Sequence, residues 1–141
     1  MQKAPTGPIP VAVWDLENLS YEPGAHPDMG RMLADRIIET VGSNGEYQVV
    51  ERQRLVAILE ELHLGSSALA NEETRLRIGK LSGARQMIFG GYQTAGDTMR
   101  IDLRLVEVET GKILKTAEKT AAAGDLAGWM DAAALAAGEL F

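Results

Sequence analysis

The side chains with the most chemical potential lie in one short stretch, DLENLSYEPGAHPD, residues 15–28. It brings together Asp15, Glu17, Glu22, His26 and Asp28, four carboxylates and an imidazole of the kind that ligate a divalent cation. Their spacing matches no metal motif, and the plainer reading is a solvated acidic loop. The other histidine, His63, falls near the end of a helical pattern, where a positive ring complements the helix dipole. The chain has no cysteine, which excludes disulfides, thiolate metal sites and cysteine nucleophiles. A phosphate-cradling loop needs Ser or Thr after its Gly-Lys, yet Gly79-Lys80 is followed by Leu81 and Gly111-Lys112 by Ile113. No G-x-S-x-G elbow occurs. These absences predict no catalytic residue, no cofactor and no resident metal.

The elements that must position this stretch are clearest from Ser82 to Thr120, which reads as three strands joined by the turns TAGD (Thr94–Asp97) and ETGK (Glu109–Lys112). Met99, Ile101, Leu103 and Leu105 alternate with Arg100, Asp102 and Arg104, the period of a half-buried strand. Val106 and Val108 then break the alternation, so either a bulge near Leu105–Val106 or a strand end packed on both faces is expected. RQMIFGGY (Arg85–Tyr92) is apolar on both faces and should be central, with its glycines serving bends and close packing. Tyr92 itself could be exposed.

Upstream, IPVAVW (Ile9–Trp14) has the look of a buried parallel strand, and Tyr47–Val50 of a second. Between them Asp28 should cap a helix that buries Met29, Met32, Leu33, Ile37 and Val41. Glu51–Leu64 is amphipathic and closed by Gly65; Asn71 caps a further helix with Leu76, Ile78 and Leu81 inward, ended by Gly83. The last helix, capped by Asp125, carries Leu126, Trp129, Met130, Ala133, Ala137 and Leu140 on one stripe. Arg52, Arg54, Arg75, Arg77 and Lys80 interleave with acids and read as a solvated face. Trp14 and Trp129 read as core. The order β-α-β-α-α-β-β-β-α predicts an α/β (α+β mixed) fold, a mixed five-stranded sheet with helices packed on it. Residues 1–8 form a flexible lead-in and 9–141 a single globular domain.

With 141 residues, 45% apolar and 24% charged, the chain has ordinary globular composition and can bury a sizeable core. Its net charge of −6 argues against a nucleic-acid backbone as main partner. No apolar run approaches the ~20 residues of a membrane helix. The start, MQKAPTGPIP, has no signal-like segment, so a native targeting segment is expected to be missing.

Four stretches in register, VAVWDLENLS, VVERQRLVAILEE, IGKLSGARQMIFGGY and MRIDLRLVEVETGKIL, resemble the periplasmic domain of the CsgG family, the curli-secretion channel component. The resemblance covers residues 9–120 and extends to LpoB-like and FlgO-like envelope lipoproteins. It implies a non-enzymatic envelope module, periplasmic or outer-membrane associated, that acts in assembly, secretion or as an adaptor. Its implied partners are other envelope proteins and further copies of itself. The family's lipid-carrying cysteine is absent, and TAGD and ETGK join directly the strands between which a channel subunit carries its membrane hairpins. This chain is therefore not expected to build that pore by itself. The loop that forms the channel constriction corresponds to Asp15–Pro27, which implies a partner-binding role for Asp15, Glu17, Asn18, Tyr21 and His26. Tyr21 is the aromatic best suited to a partner contact. The alternative is a sensor domain that binds a small ligand or divalent metal through the acidic loop 15–28.

Overall fold

The computed structural model describes residues 7–20, 27–65, 68–69 and 71–141. Among these the chain forms β1 (Ile9–Val13), β2 (Glu17–Asn18), α1 (Met29–Gly42), β3 (Tyr47–Val49), α2 (Arg52–Glu61), α3 (Glu72–Ser82), β4 (Gln86–Ala95), β5 (Thr98–Glu107), β6 (Ile113–Ala122) and α4 (Leu126–Gly138). The expected element order holds, with one addition: the two-residue strand β2 inside the long acidic loop makes the sheet six-stranded. The path is β3-β1-β4-β5-β6, with β2 paired to β4 beyond the end of β1. Pairing is parallel from β3 through β1 and β2 to β4, and antiparallel from β4 to β6.

The sheet carries a core on each face. Val11, Val13, Ile88, Ile101, Leu103 and Leu105 pack against α1 and α4, while Ala12, Trp14, Met87, Phe89, Val106 and Val108 pack against α2 and α3. The even-numbered positions of β5 therefore run from Arg100, Asp102 and Arg104 in the open to Val106 under a helix, and Val108, just past the strand, is covered as well. That change of cover explains the broken alternation. A register shift does occur opposite Leu105/Val106, but the extra residue, Leu114, is in β6, since Leu105 faces Lys115 and Val106 faces Ile113.

Turn and cap chemistry follows the sequence closely. Gly96, at φ +60, opens a two-residue hairpin between Ala95 and Thr98, a backbone that a side chain would strain. The Asn71 side chain accepts from the Glu73 and Thr74 amides, Asp125 accepts from Gly128, and Gly83 ends α3 in the left-handed region. Two caps differ. Asp28 stands at the α1 N-cap without a side-chain capping bond. At the end of α2 the left-handed residue is His63 (φ 55) and not Gly65; the Leu64 and His63 amides donate to the Leu59 and Glu60 carbonyls, which fixes the turn two residues early.

Three residues expected inside are exposed: Met32, Leu81 and Leu126. For Met32 the reason is visible. The Leu16 amide donates to the Gly30 carbonyl at 3.1 Å, and a Cβ on Gly30 would collide with the Leu16 carbonyl oxygen. The inward stripe of α1 therefore runs through Gly30 and Ala34, which turns Met32 to solvent. α4 likewise packs through Ala132, Ala133, Ala136 and Ala137, which rotates Leu126 outward. Tyr92, in contrast, is buried, its ring 6.0 Å from that of Trp129.

Two measurements check this packing. Gly30→Ala should lower the urea-unfolding free energy by about 3 kcal/mol, because backbone must move to admit the methyl, whereas Gly42→Ala, in open space at the end of α1, should raise it by about 0.5–1 kcal/mol. Burial also raises the Tyr92 phenol above 10. Its contribution to stability is complete below the unfolded-state value near 10 and is lost as pH rises through the higher folded value. Unfolding followed from pH 9 to 12 should show a shallower alkaline decline for Tyr92→Phe than for the parent chain.

Candidate functional site

β1 lies between β3 and β4; the connection that follows it runs through α1 on one face of the sheet, and the one that follows β3 runs through α2 and α3 on the other. A crevice forms at such a switch point because the flanking connections diverge. Past Val13 the backbone stays attached to the sheet. Trp14 donates to the Ile88 carbonyl, Glu17 and Asn18 pair with Gly91 and Tyr92, and Leu19 donates to the Tyr92 carbonyl at 2.8 Å. Ser20 continues the attachment, its hydroxyl accepting from the Thr94 amide at 3.0 Å. Gly91 is required here: a Cβ would meet the Leu19 side chain at 2.6 Å and the Glu17 carbonyl at 2.9 Å. The first part of the acidic stretch is thus a fixed extension of the sheet.

Between this extension, α2 and the start of α3 lies a cavity of about 370 Å³. Its walls are mainly apolar, with Trp14, Leu16, Leu55, Leu59 and Leu69 prominent. The Trp14 indole N–H donates to the Met87 sulfur at 3.3 Å, so the ring is held in place. Two ion pairs stand at the mouth. Arg52 reaches Asp15 at 2.8 Å and Asp35 at 3.1 Å, and Arg75 Nη1 donates to Glu17 Oε1 at 3.0 Å. The Arg75 side chain is only 8% exposed against 45% for Glu17. Its guanidinium carbon lies 4.7 Å from the centre of the Phe89 ring, and Arg104 lies 4.5 Å from the same ring.

Beyond Arg104 no helix among the described residues lies over that face of the sheet. Arg100 is held there by Asp102 at 2.8 Å and by Glu118, and hydrogen bonding to Asp102, followed by the two carboxylate charges, raises its pKa. Leu19, 52% exposed, lies at the border of this polar surface and the acidic loop.

Of the residues singled out from sequence, Asp15, Glu17 and Asn18 come together on the extension. Asn18 spends its side chain on the Ser20 amide (2.9 Å), a local turn bond. Tyr21 and His26 lie outside the described residues. Among the described residues no group of three or more His, Cys, Asp or Glu is placed to hold a metal. The reading of Arg52 and Arg75 as part of a solvated face is corrected: Arg52 is half-buried and paired with Asp15 and Asp35, and Arg75 is buried, whereas Arg54 is exposed as expected, its Nε donating to the Ser82 carbonyl at 3.1 Å. Spacing carried that signal: Arg75 shares the inward stripe of α3 with Ile78, Gly79 and Ser82.

The family described as curli production assembly/transport component CsgG matches residues 1–95. Among solved structures, the LpoB C-terminal domain from Salmonella enterica superposes with a TM-score of 0.67 at 17% identity, covering 82% of this chain and 84% of its own. A PelC dodecamer subunit from Paraburkholderia phytofirmans gives 0.62 at 18% identity, covering 96% and 94%. A lipoprotein from Neisseria meningitidis gives 0.67 at 15% identity and 84% coverage of both chains. At these identities the likeness is one of fold. No curated protein sequence matches the chain.

The Arg75–Glu17 pair is asymmetric, and that asymmetry is measurable. Glu17→Gln leaves a buried cation without its counter-charge and should cost about 1–2 kcal/mol in chemical unfolding, discounted for the exposure of Glu17. Arg75→Met frees a carboxylate that solvent can reach and should cost less.

Proposed function

The chain belongs to the CsgG family, and from that premise we propose that it is a non-enzymatic module of the bacterial cell envelope that works through protein–protein contacts. We place the contact surface on the sheet extension Asp15–Ser20 and the polar sheet half beside it. One observation carries the reading. The extension is fixed to β4 by main-chain pairing and braced by Arg52 and Arg75, yet it presents Leu19 and three acidic or amide side chains outward. An apolar side chain in a rigid polar rim binds a partner with little ordering cost. The placement agrees with the resemblance of this loop to the channel's constriction loop. Periplasmic or outer-membrane association follows as part of the same proposal; no helix among the described residues is long and apolar enough to cross a membrane.

Self-assembly is a second reading, favoured by Ile113 and Leu114, which are exposed on the free edge strand β6. The dodecameric state named for the PelC subunit is the precedent for it.

A photo-crosslinking residue at position 19, with position 39 on α1 as control, tests both readings in solubilised bacterial envelope. A discrete adduct from position 19 alone, lost in an Asp15→Lys background, is expected. The same adducts from both positions, or none from position 19, would overturn the placement. Light scattering over a concentration range then separates a second copy from a different partner.

A further inference from the structure

We propose that the cavity at the carboxyl end of β1 binds a small amphipathic acid. Such a ligand has an apolar tail and one carboxylate or phosphate group, with Arg75 as its anion anchor and Glu17 as the internal group it displaces. The inference stands apart from the protein-contact reading and is tested without a partner.

Four observations converge on it. The Arg75 side chain is more than nine-tenths buried, its Nε has no hydrogen-bond partner among the described residues, and Glu17 reaches it through one oxygen only. A desolvated guanidinium ordinarily takes a planar acid in a two-pronged grip, so Arg75 is under-coordinated for its burial. Secondly, the Phe89 ring lies 4.7 Å from the guanidinium and fixes it, and Arg75 is one of the residues that line the cavity. Thirdly, the cavity, about 370 Å³ and mainly apolar, is within the ~300–1,000 Å³ range of small-ligand sites.

The fourth observation is the charge balance. Asp15 and Asp35 are both taken up by Arg52, so Arg75–Glu17 is the pair in the wall that an incoming acid can exchange with. Because Glu17 is 45% exposed, its carboxylate can turn to water while the ligand's takes its place. Arg75 then keeps one counter-charge, and the low-dielectric wall gains none. A bare anion would win little by this exchange on a chain of net charge −6. Burial of a tail against Trp14, Leu55 and Leu59 must supply the affinity, which is why an amphipath is required.

Calorimetric titration of the full chain with decanoate, decyl phosphate, decanol and acetate is the test, all below their micellar concentrations. Saturable binding of decanoate or decyl phosphate is expected, the stronger of the two identifying the headgroup, with decanol and acetate at least about tenfold weaker. Glu17→Gln should tighten binding on the order of fivefold, because the internal competitor is lost. Leu59→Trp, which fills the cavity, and Arg75→Met should both abolish it. Equal affinity for decanol, no binding of either acid, or a Glu17→Gln variant that binds no tighter would each overturn the proposal. The Glu17 and Leu59 arms decide the matter independently of Arg75→Met.

Discussion

The α2–α3 layer is shorter than the sheet it covers, and most of what is distinctive here follows from that mismatch. One face of the sheet is covered by α1 and α4, and its buried positions are apolar. The other is covered only as far as Phe89 and Val106. At that boundary an apolar core must end beside polar sheet surface, and long amphipathic side chains suit such a boundary because their stems pack while their heads remain polar. Arg75 and Arg104 occupy it, both against Phe89. The cavity is the same boundary seen from β1. There the sheet extension, α2 and α3 diverge, and among the described residues no side chain fills the gap.

The constraint from the opposite face is equally local. α1 can lie against the extension only because residue 30 has no side chain, and the Leu16–Gly30 main-chain bond then fixes where the chain turns from β1 into β2. Gly91 performs the matching service for Leu19 and the Glu17 carbonyl. Two glycines in different elements thereby convert the start of a long loop into a strand. A connection of that length is ordinarily mobile; here its first part inherits the rigidity of the sheet.

How much of this could be read from the chain depends on which interactions are periodic. Strands and helices whose partners lie on one face announce themselves through alternation or helical spacing, and the order of elements, the two turns and the caps at Asn71, Asp125 and Gly83 were legible for that reason. β2 was not, because two residues carry no period and their pairing rests on glycines elsewhere in the sequence. The exposure of Met32 and Leu126 was equally hidden, since small residues set the buried stripes and hydrophobicity alone favours the large ones. Arg75 is the instructive case. It keeps the spacing of Ile78 and Ser82, yet its charge suggested solvent, and only the Phe89 ring and the Glu17 carboxylate make its burial affordable. Of the site, Asp15 and Glu17 were visible as acids, but the basic partners that give them meaning were assigned to the wrong side of their helices.

The family match ends at Ala95, the last residue of β4, while the structural likeness to the PelC subunit takes in 96% of the chain. The shared sequence signal is therefore concentrated in the parallel half of the sheet, the half that contains β1, the extension and the cavity. In the antiparallel half, β5 and β6 need only alternate and pair, a requirement many sequences meet. Glu17 is where the two proposed roles of the matched half meet. Its main chain forms β2 and its side chain neutralises Arg75. These functions are separable, because strand pairing uses backbone groups that do not depend on where the carboxylate points. The side chain can therefore leave Arg75 without dissolving the strand that carries Leu19, and a ligand in the cavity would alter the charge presented beside Leu19 while leaving the backbone of that surface in place.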